Sequence, residues 1–190
     1  VGVTHHHYTK EEEMPNYIRV FEENSIYFFT IVTYKRRPLL RGKMPLLTQA
    51  FESVISKIPY KLLAYVILDD HLHLLIKPET AKTYPDIIRQ IKTFVSKHCD
   101  VLVDDLSASM KKKGEKGIWQ RRYFEHTVRN IEDFKRHLDY IHYNPVKHAY
   151  VDSVKEYPYS SFHQWAKYGY YDVMWGSQKD VRNIDEMNLE

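Results

Sequence analysis

The sequence predicts an α+β domain built as a ferredoxin-like antiparallel sheet with helices packed on one face. Three observations predict it. Short runs of β-branched and aromatic residues alternate with longer stretches whose apolar residues recur at helical spacing. Two strand-like runs, residues 62–68 and 71–77, are separated only by Asp69 and Asp70, which fits a tight hairpin. The elements then read β-α-β-β-α-β-α, the split βαβ order of this fold.

Each element has its own justification. Residues 26–33 (IYFFTIVT) form a buried strand. Residues 45–58 carry Leu46, Leu47, Phe51, Val54, Ile55 and Ile58 at helical spacing, and Pro45 suits a first helical turn. The hairpin strands are LLAYVIL and HLHLLIK, the second ended by Pro78. A second helix over 85–98 has a stripe of Ile87, Ile88, Ile91, Phe94 and Val95. Residues 100–117 end in a Lys- and Gly-rich stretch that reads as a mobile loop, and 118–128 (IWQRRYFEHTV) as the fourth strand. The third helix covers 131–144, capped by Asn130 with Asp133 in its first turn. Pro145 is expected to end it, because the residue before proline avoids the helical region. Ser160 or Ser161 caps a short last helix through 167. The domain is placed at 25–170, with a polar N-terminal tail over 1–24 and a C-terminal tail over 171–190.

Composition bounds the partners. With 43% hydrophobic and 28% charged residues in 190, the chain holds a core of one ordinary domain. The net charge of +3 permits a nucleic-acid partner without demanding one. Its distribution says more: base clusters at Lys35, Arg36 and Arg37, at Lys111, Lys112, Lys113 and Lys116, and at Arg121 and Arg122. Of these, Lys35, Arg36, Arg37, Arg121 and Arg122 are the candidate DNA contacts. A single cysteine, Cys99, excludes an internal disulfide and fits a reducing cytoplasm. Apolar runs fall short of the ~20 residues of a membrane helix, and residues 1–10 lack a signal-peptide pattern. A cytoplasmic protein with no membrane partner is expected, as a monomer rather than a homodimer.

His71 and His73 flank Leu72 on the third strand, so both imidazoles project to one face while Leu72, Leu74 and Ile76 project to the other. Two imidazoles at that spacing can share a divalent ion. An HxH triplet alone is common. This one sits directly after a hairpin turn in an apolar sheet, where two unpartnered imidazoles would be costly.

On the third helix, Ile131, Phe134, Leu138 and Ile141 make the apolar stripe. Tyr140 is expected well off it, near the opposite face, with His137 and Asn144 sharing its polar side. Tyr140 and Asn144, four residues apart, lie about 40° from each other around the axis. A phenol with pKa about 10 attacks phosphorus only when its charge is stabilised. Metal held by His71 and His73 would polarise the phosphate, and the Asn144 carbonyl oxygen would be a third ligand. Glu125 and His126 are further residues that could line the site, with a structural role the simpler reading.

The HLH and YIHYN pair, in that order, resembles the HUH single-tyrosine transposases, and more closely the REP-associated tyrosine transposases. The stretches AYVILDDHLHLLIKPE, IWQRRYFEH, HLDYIHYNPVKHAYV and YPYSSFHQW carry the resemblance, which spans residues 27–170. It implies a ferredoxin-like fold, Mg²⁺ or Mn²⁺ dependence, and cleavage of single-stranded DNA near REP hairpins through a 5′-phosphotyrosine. Matched by residue, Tyr140 is the nucleophile and His71, His73 and Asn144 are the metal ligands. Chemistry alone favours zinc, copper or nickel for imidazole-rich sites; a mixed His-His-Asn set suits Mn²⁺. Two alternatives remain open from the residues: a non-catalytic DNA-binding protein of the same fold, and a metal-dependent hydrolase using water as nucleophile.

Overall fold

In the computed structural model, which describes residues 21–100 and 103–176, one antiparallel sheet organises the molecule. Its strands are β1 (Tyr27–Val32), β2 (Tyr60–Ile67), β3 (His71–Pro78) and β4 (Phe124–Thr127), in the order β2-β3-β1-β4. The helices are α1 (Met44–Ile55), α2 (Tyr84–His98), α3 (Ala108–Lys112), α4 (Ile131–Lys147) and α5 (Phe162–Lys167). The predicted ferredoxin-like order is the observed one.

Helices cover both faces rather than one. All six residues of β1 are buried, so neither face can be left to solvent. Tyr27, Phe29 and Ile31 pack with α1 and α2, together with Leu72, Leu74 and Ile76 of β3. Phe28, Ala64, Val66 and Leu75 pack with Leu138, Tyr140 and Ile141 of α4 and Phe162 of α5. A bulge in β2 between Leu62 and Ala64 shifts the register against β3. Leu62 therefore stays on the α1 and α2 side while Leu63 joins the α4 side. The second core continues past Tyr170 through Tyr171 and Trp175.

The hairpin turn is as short as the sequence implies: the Leu68 N–H donates to the His71 carbonyl across Asp69 and Asp70. Three boundaries differ from expectation. β4 is short, because Trp119 bridges to Thr33 and the Gln120 N–H donates to the Val32 carbonyl, after which the chain leaves the sheet and rejoins it at Phe124. The stretch expected to be loop contains α3, capped by the Ser107 hydroxyl accepting from the Met110 N–H and anchored by buried Met110. Pro145 does not end α4. It falls in the last turn, where its missing N–H costs one bond, and the His148 N–H still reaches the Asn144 carbonyl. Among the described residues, no helix is long and apolar enough to cross a membrane.

Candidate active site

His71 and His73 lie on the β3 face that α4 covers, and both are buried. Their rings are 4.9 Å apart and close to perpendicular. Each Nδ1 is held from behind, by Asp70 Oδ1 at 2.6 Å for His71 and by Thr30 Oγ1 at 2.9 Å for His73. Nε2 is then the atom of each ring that could take a metal, with the hydrogen bond at Nδ1 fixing ring orientation. Burial pushes the Asp70 carboxyl up, but the His71 hydrogen bond and the charges of His71 and Arg36 hold it below its ordinary value. Burial drives His73 well below the ordinary histidine pKa, reinforced by His71, His148, Lys147 and Arg36. At neutral pH it is uncharged, the form with a lone pair to offer.

On α4, Asp133, His137, Tyr140 and Asn144 are all buried, and Tyr140 meets His73. The spacing of four, three and four residues puts them along one side of the helix. Tyr140 is therefore not off the packed face, as the apolar stripe suggested; it is 0% exposed. Its ring meets Phe28 edge-on at 6.1 Å and His73 at 5.1 Å. Lys147, two turns along, places Nζ 3.5 Å from the Tyr140 hydroxyl and 4.8 Å from its ring centroid. The His148 ring lies 5.1 Å from His71. Ile131, counted in the stripe, is 63% exposed. The physical reason is that α4 rests on the sheet through His137 and Tyr140 as well as Leu138 and Ile141, while Phe134 packs sideways against Trp165 of α5.

Asn144 is 0% exposed, and neither its amide oxygen nor its amide nitrogen has a hydrogen-bond partner; the same holds for His73 Nε2. A buried amide left so is expensive. A divalent cation taking imidazole nitrogens and an amide oxygen fits this set.

One turn earlier, His126, Asp133 and His137 bring ligand-type atoms within 4.8 Å of one another, a possible His/Asp/His metal site. Asp133 Oδ2 accepts from His126 Nε2 at 2.8 Å, from the Arg129 N–H at 3.0 Å and from Arg129 Nε at 3.1 Å. Burial raises the Asp133 pKa, yet these bonds outweigh it and hold the carboxyl well below its ordinary range. Glu125 points to the other side of the sheet, where it accepts from the Tyr84 hydroxyl.

The basic residues are drawn into separate local ion pairs. Lys35 and Arg37 both pair with Asp105, and Arg36 reaches Asp70 at 3.5 Å, behind His71. Lys35 and Arg36 adopt left-handed backbone (φ 56° and 50°), a strained choice for such side chains. Arg121 pairs with Glu115 and lines a groove of about 620 Å³ against α2, with Lys92, Lys97 and Lys116. Arg122 is exposed beside it.

Sequence reasoning passed over Thr30, Asp70, Lys147 and His148. Asp70 carried a signal, standing directly before the HxH triplet. Lys147 carried one too, two turns from Tyr140 on one face, hidden by the expectation that Pro145 closes the helix.

Comparison with known proteins identifies the family. A family model described as IS200-like transposase matches residues 22–144, the class of HUH single-tyrosine proteins. A Haemophilus influenzae protein described as a REP-associated tyrosine transposase is 39% identical over 171 residues, covering 89% of this chain and 97% of that protein. The REP-associated tyrosine transposase of Escherichia coli K12 is 33% identical over 164 residues, covering 85% and 91%. A solved structure of a REP-associated tyrosine transposase bound to a REP hairpin superposes with a TM-score of 0.74 at 28% identity, covering 93% of this chain and 96% of that one. The chain belongs to the IS200-like transposase family and, within it, to the REP-associated tyrosine transposases.

Proposed function

We propose that this protein is a metal-dependent endonuclease and strand transferase that cuts single-stranded DNA at REP-type hairpins, with Tyr140 as nucleophile. The observation that carries the reading is a buried polar cluster: His71 and His73 side by side, His73 against the Tyr140 ring, and Asn144 four residues further along α4 with both amide atoms lacking a hydrogen-bond partner. The hairpin as substrate rests on the related structure, which is bound to a REP hairpin. The chain spans 97% and 91% of the two relatives' lengths, so it carries a comparable set of parts.

In this reading His71, His73 and Asn144 hold the divalent metal, Mg²⁺ or Mn²⁺. When bound, it polarises the scissile phosphate. Asp70 and Thr30 fix the two imidazoles through Nδ1. The Tyr140 oxygen attacks phosphorus, an O–P bond forms to the DNA 5′ side, and the bond to the 3′ oxygen breaks. The phenol proton is lost and the 3′ oxygen gains one, leaving a 5′-phosphotyrosine and a free 3′-hydroxyl. The Lys147 ammonium, beside the Tyr140 oxygen, stabilises the phenolate and then the charge that builds on phosphorus. The His126, Asp133 and His137 cluster is read as a structural ion-paired network, since Arg129 and Arg136 already neutralise Asp133.

The test is an SDS-resistant adduct between the protein and a REP-type hairpin oligonucleotide, formed with Mn²⁺ and lost in Tyr140→Phe. Cleavage at the wild-type rate by Tyr140→Phe would hand the reaction to water. Binding without any cleavage in either metal would leave a DNA-binding protein of the same fold.

A further inference from the structure

Phe124 is the exposed aromatic of the edge strand. It heads β4 and is 43% exposed, unlike the phenylalanines of β1, which are fully buried. A single exposed apolar side chain needs no explanation. The position of this one in the sheet sets it apart. Thr30 of β1 pairs with His73 on one side and with Phe124 on the other. Directly opposed residues share a face of the sheet, so His73, Thr30 and Phe124 form one row across three strands on the α4 side. With strands spaced at about 4.8 Å, Phe124 stands roughly 10 Å from His73. Two or three nucleotides cover that span, at ~3.4 Å or more each.

The row is braced from beneath. Phe28 stacks on His73 at 5.5 Å, meets Tyr140 at 6.1 Å and meets Phe124 edge-on at 6.3 Å. The Phe124 ring is thus held at the lip of the Tyr140 cluster by a side chain that also supports the nucleophile. Among the described residues, β4 is the edge strand on this side of the sheet.

We propose that Phe124 is a stacking platform for one unpaired DNA base close to the scissile phosphate, fixing the register of the single strand across the sheet edge. The proposal rests on the reading that single-stranded DNA reaches Tyr140. Stacking suits the place: every base has a π-face, an aromatic ring can hold one without reading its identity, and the neighbouring Tyr140 needs its phosphate at a set distance.

The experiment uses the full chain, a hairpin oligonucleotide with a single-stranded extension, and the same hairpin without the extension. Binding is measured by fluorescence anisotropy in chelator, and adduct formation separately with Mn²⁺. Phe124→Leu should weaken binding of the extended hairpin on the order of tenfold, as loss of one base–aromatic stack does. It should leave the unextended hairpin and the melting temperature unchanged, and Phe124→Trp should keep wild-type affinity. An abasic residue scanned along the extension should erase the Phe124→Leu penalty at one position only. Wild-type affinity in Phe124→Leu, an equal loss in Phe124→Trp, or a penalty indifferent to the abasic position overturns the platform. If that happens while the wild-type protein still forms its Tyr140 adduct, the platform fails and the nuclease reading stands. If the wild-type protein forms no adduct and does not bind the extension, both fail.

Discussion

Replacing Asn144 by leucine should make the metal-free protein more stable and the metal-loaded protein no more stable than the metal-free one. The Asn144 side chain is completely buried, and both its amide atoms lack a hydrogen-bond partner. Leaving one such group unmet costs roughly 1–3 kcal/mol. Leucine has a similar size and carries no polar atom, so Asn144→Leu should gain about that amount in chelator. For a chain of 190 residues, about 2–4 °C accompanies each kcal/mol, which makes the expected rise roughly 2–12 °C. The wild-type protein should behave in the opposite way. Mn²⁺ at about 100 times its dissociation constant adds about 2.7 kcal/mol, or roughly 5–11 °C, and the variant should lose this increment. Differential scanning fluorimetry in chelator and across a Mn²⁺ titration measures both. A variant that melts below wild type in chelator would show that the amide is satisfied structurally. A variant that keeps the full Mn²⁺ shift would remove Asn144 from the ligand set.

Three further outcomes follow from the same geometry. Tyr140→Phe should abolish adduct formation yet cost only about 0.5–1.5 kcal/mol of stability, because the ring contacts with Phe28 and His73 remain while the hydroxyl's hydrogen bonding, including the long bond to Lys147, is lost; a thermal melt beside the cleavage assay checks it. Lys147→Met should slow adduct formation at saturating DNA by about 10-fold or more without weakening DNA binding, and Lys147→Arg should recover part of the rate; equal loss of affinity would make Lys147 a binding contact instead. Asp133 contributes stability that is present above the ordinary carboxylate pKa of about 3.9 and is lost as pH falls through its depressed folded value. Melts from pH 7 down to pH 2 should therefore show wild type converging on Asp133→Asn only below about pH 4, and a constant gap would deny the ion-paired state.

Much of the fold was legible because local pattern and global packing agree. The run IYFFTIVT marks a strand, and it also marks burial on both faces. With apolar or aromatic residues at both parities, Tyr27 through Val32 could not belong to a sheet covered on one face only. The β2 bulge was illegible in principle from this sequence. LLAYVIL is apolar throughout, so its alternation gives no marker for the extra residue that moves Leu63 to the other side. α3 was hidden by lysines that read as loop, since its one buried side chain is Met110.

At the site, the strand half was readable and the helix half was inverted. HLH must place both imidazoles together whatever surrounds them, and it does. For α4 the usual inference, that the apolar stripe faces the core, breaks down because this helix sits between two environments. Leu138 and Ile141 are buried, but so are His137, Tyr140 and Asn144, and the second group is the one spaced to meet His73. A helix that buries polar residues on the face opposed to paired histidines gives up stability that an apolar face would have kept. The misreading of Tyr140 as peripheral therefore had the same cause as the site itself. Burial of Asn144 without a partner is the part of that cost that can be measured, and replacing it by leucine separates what α4 needs in order to pack from what it would offer a metal.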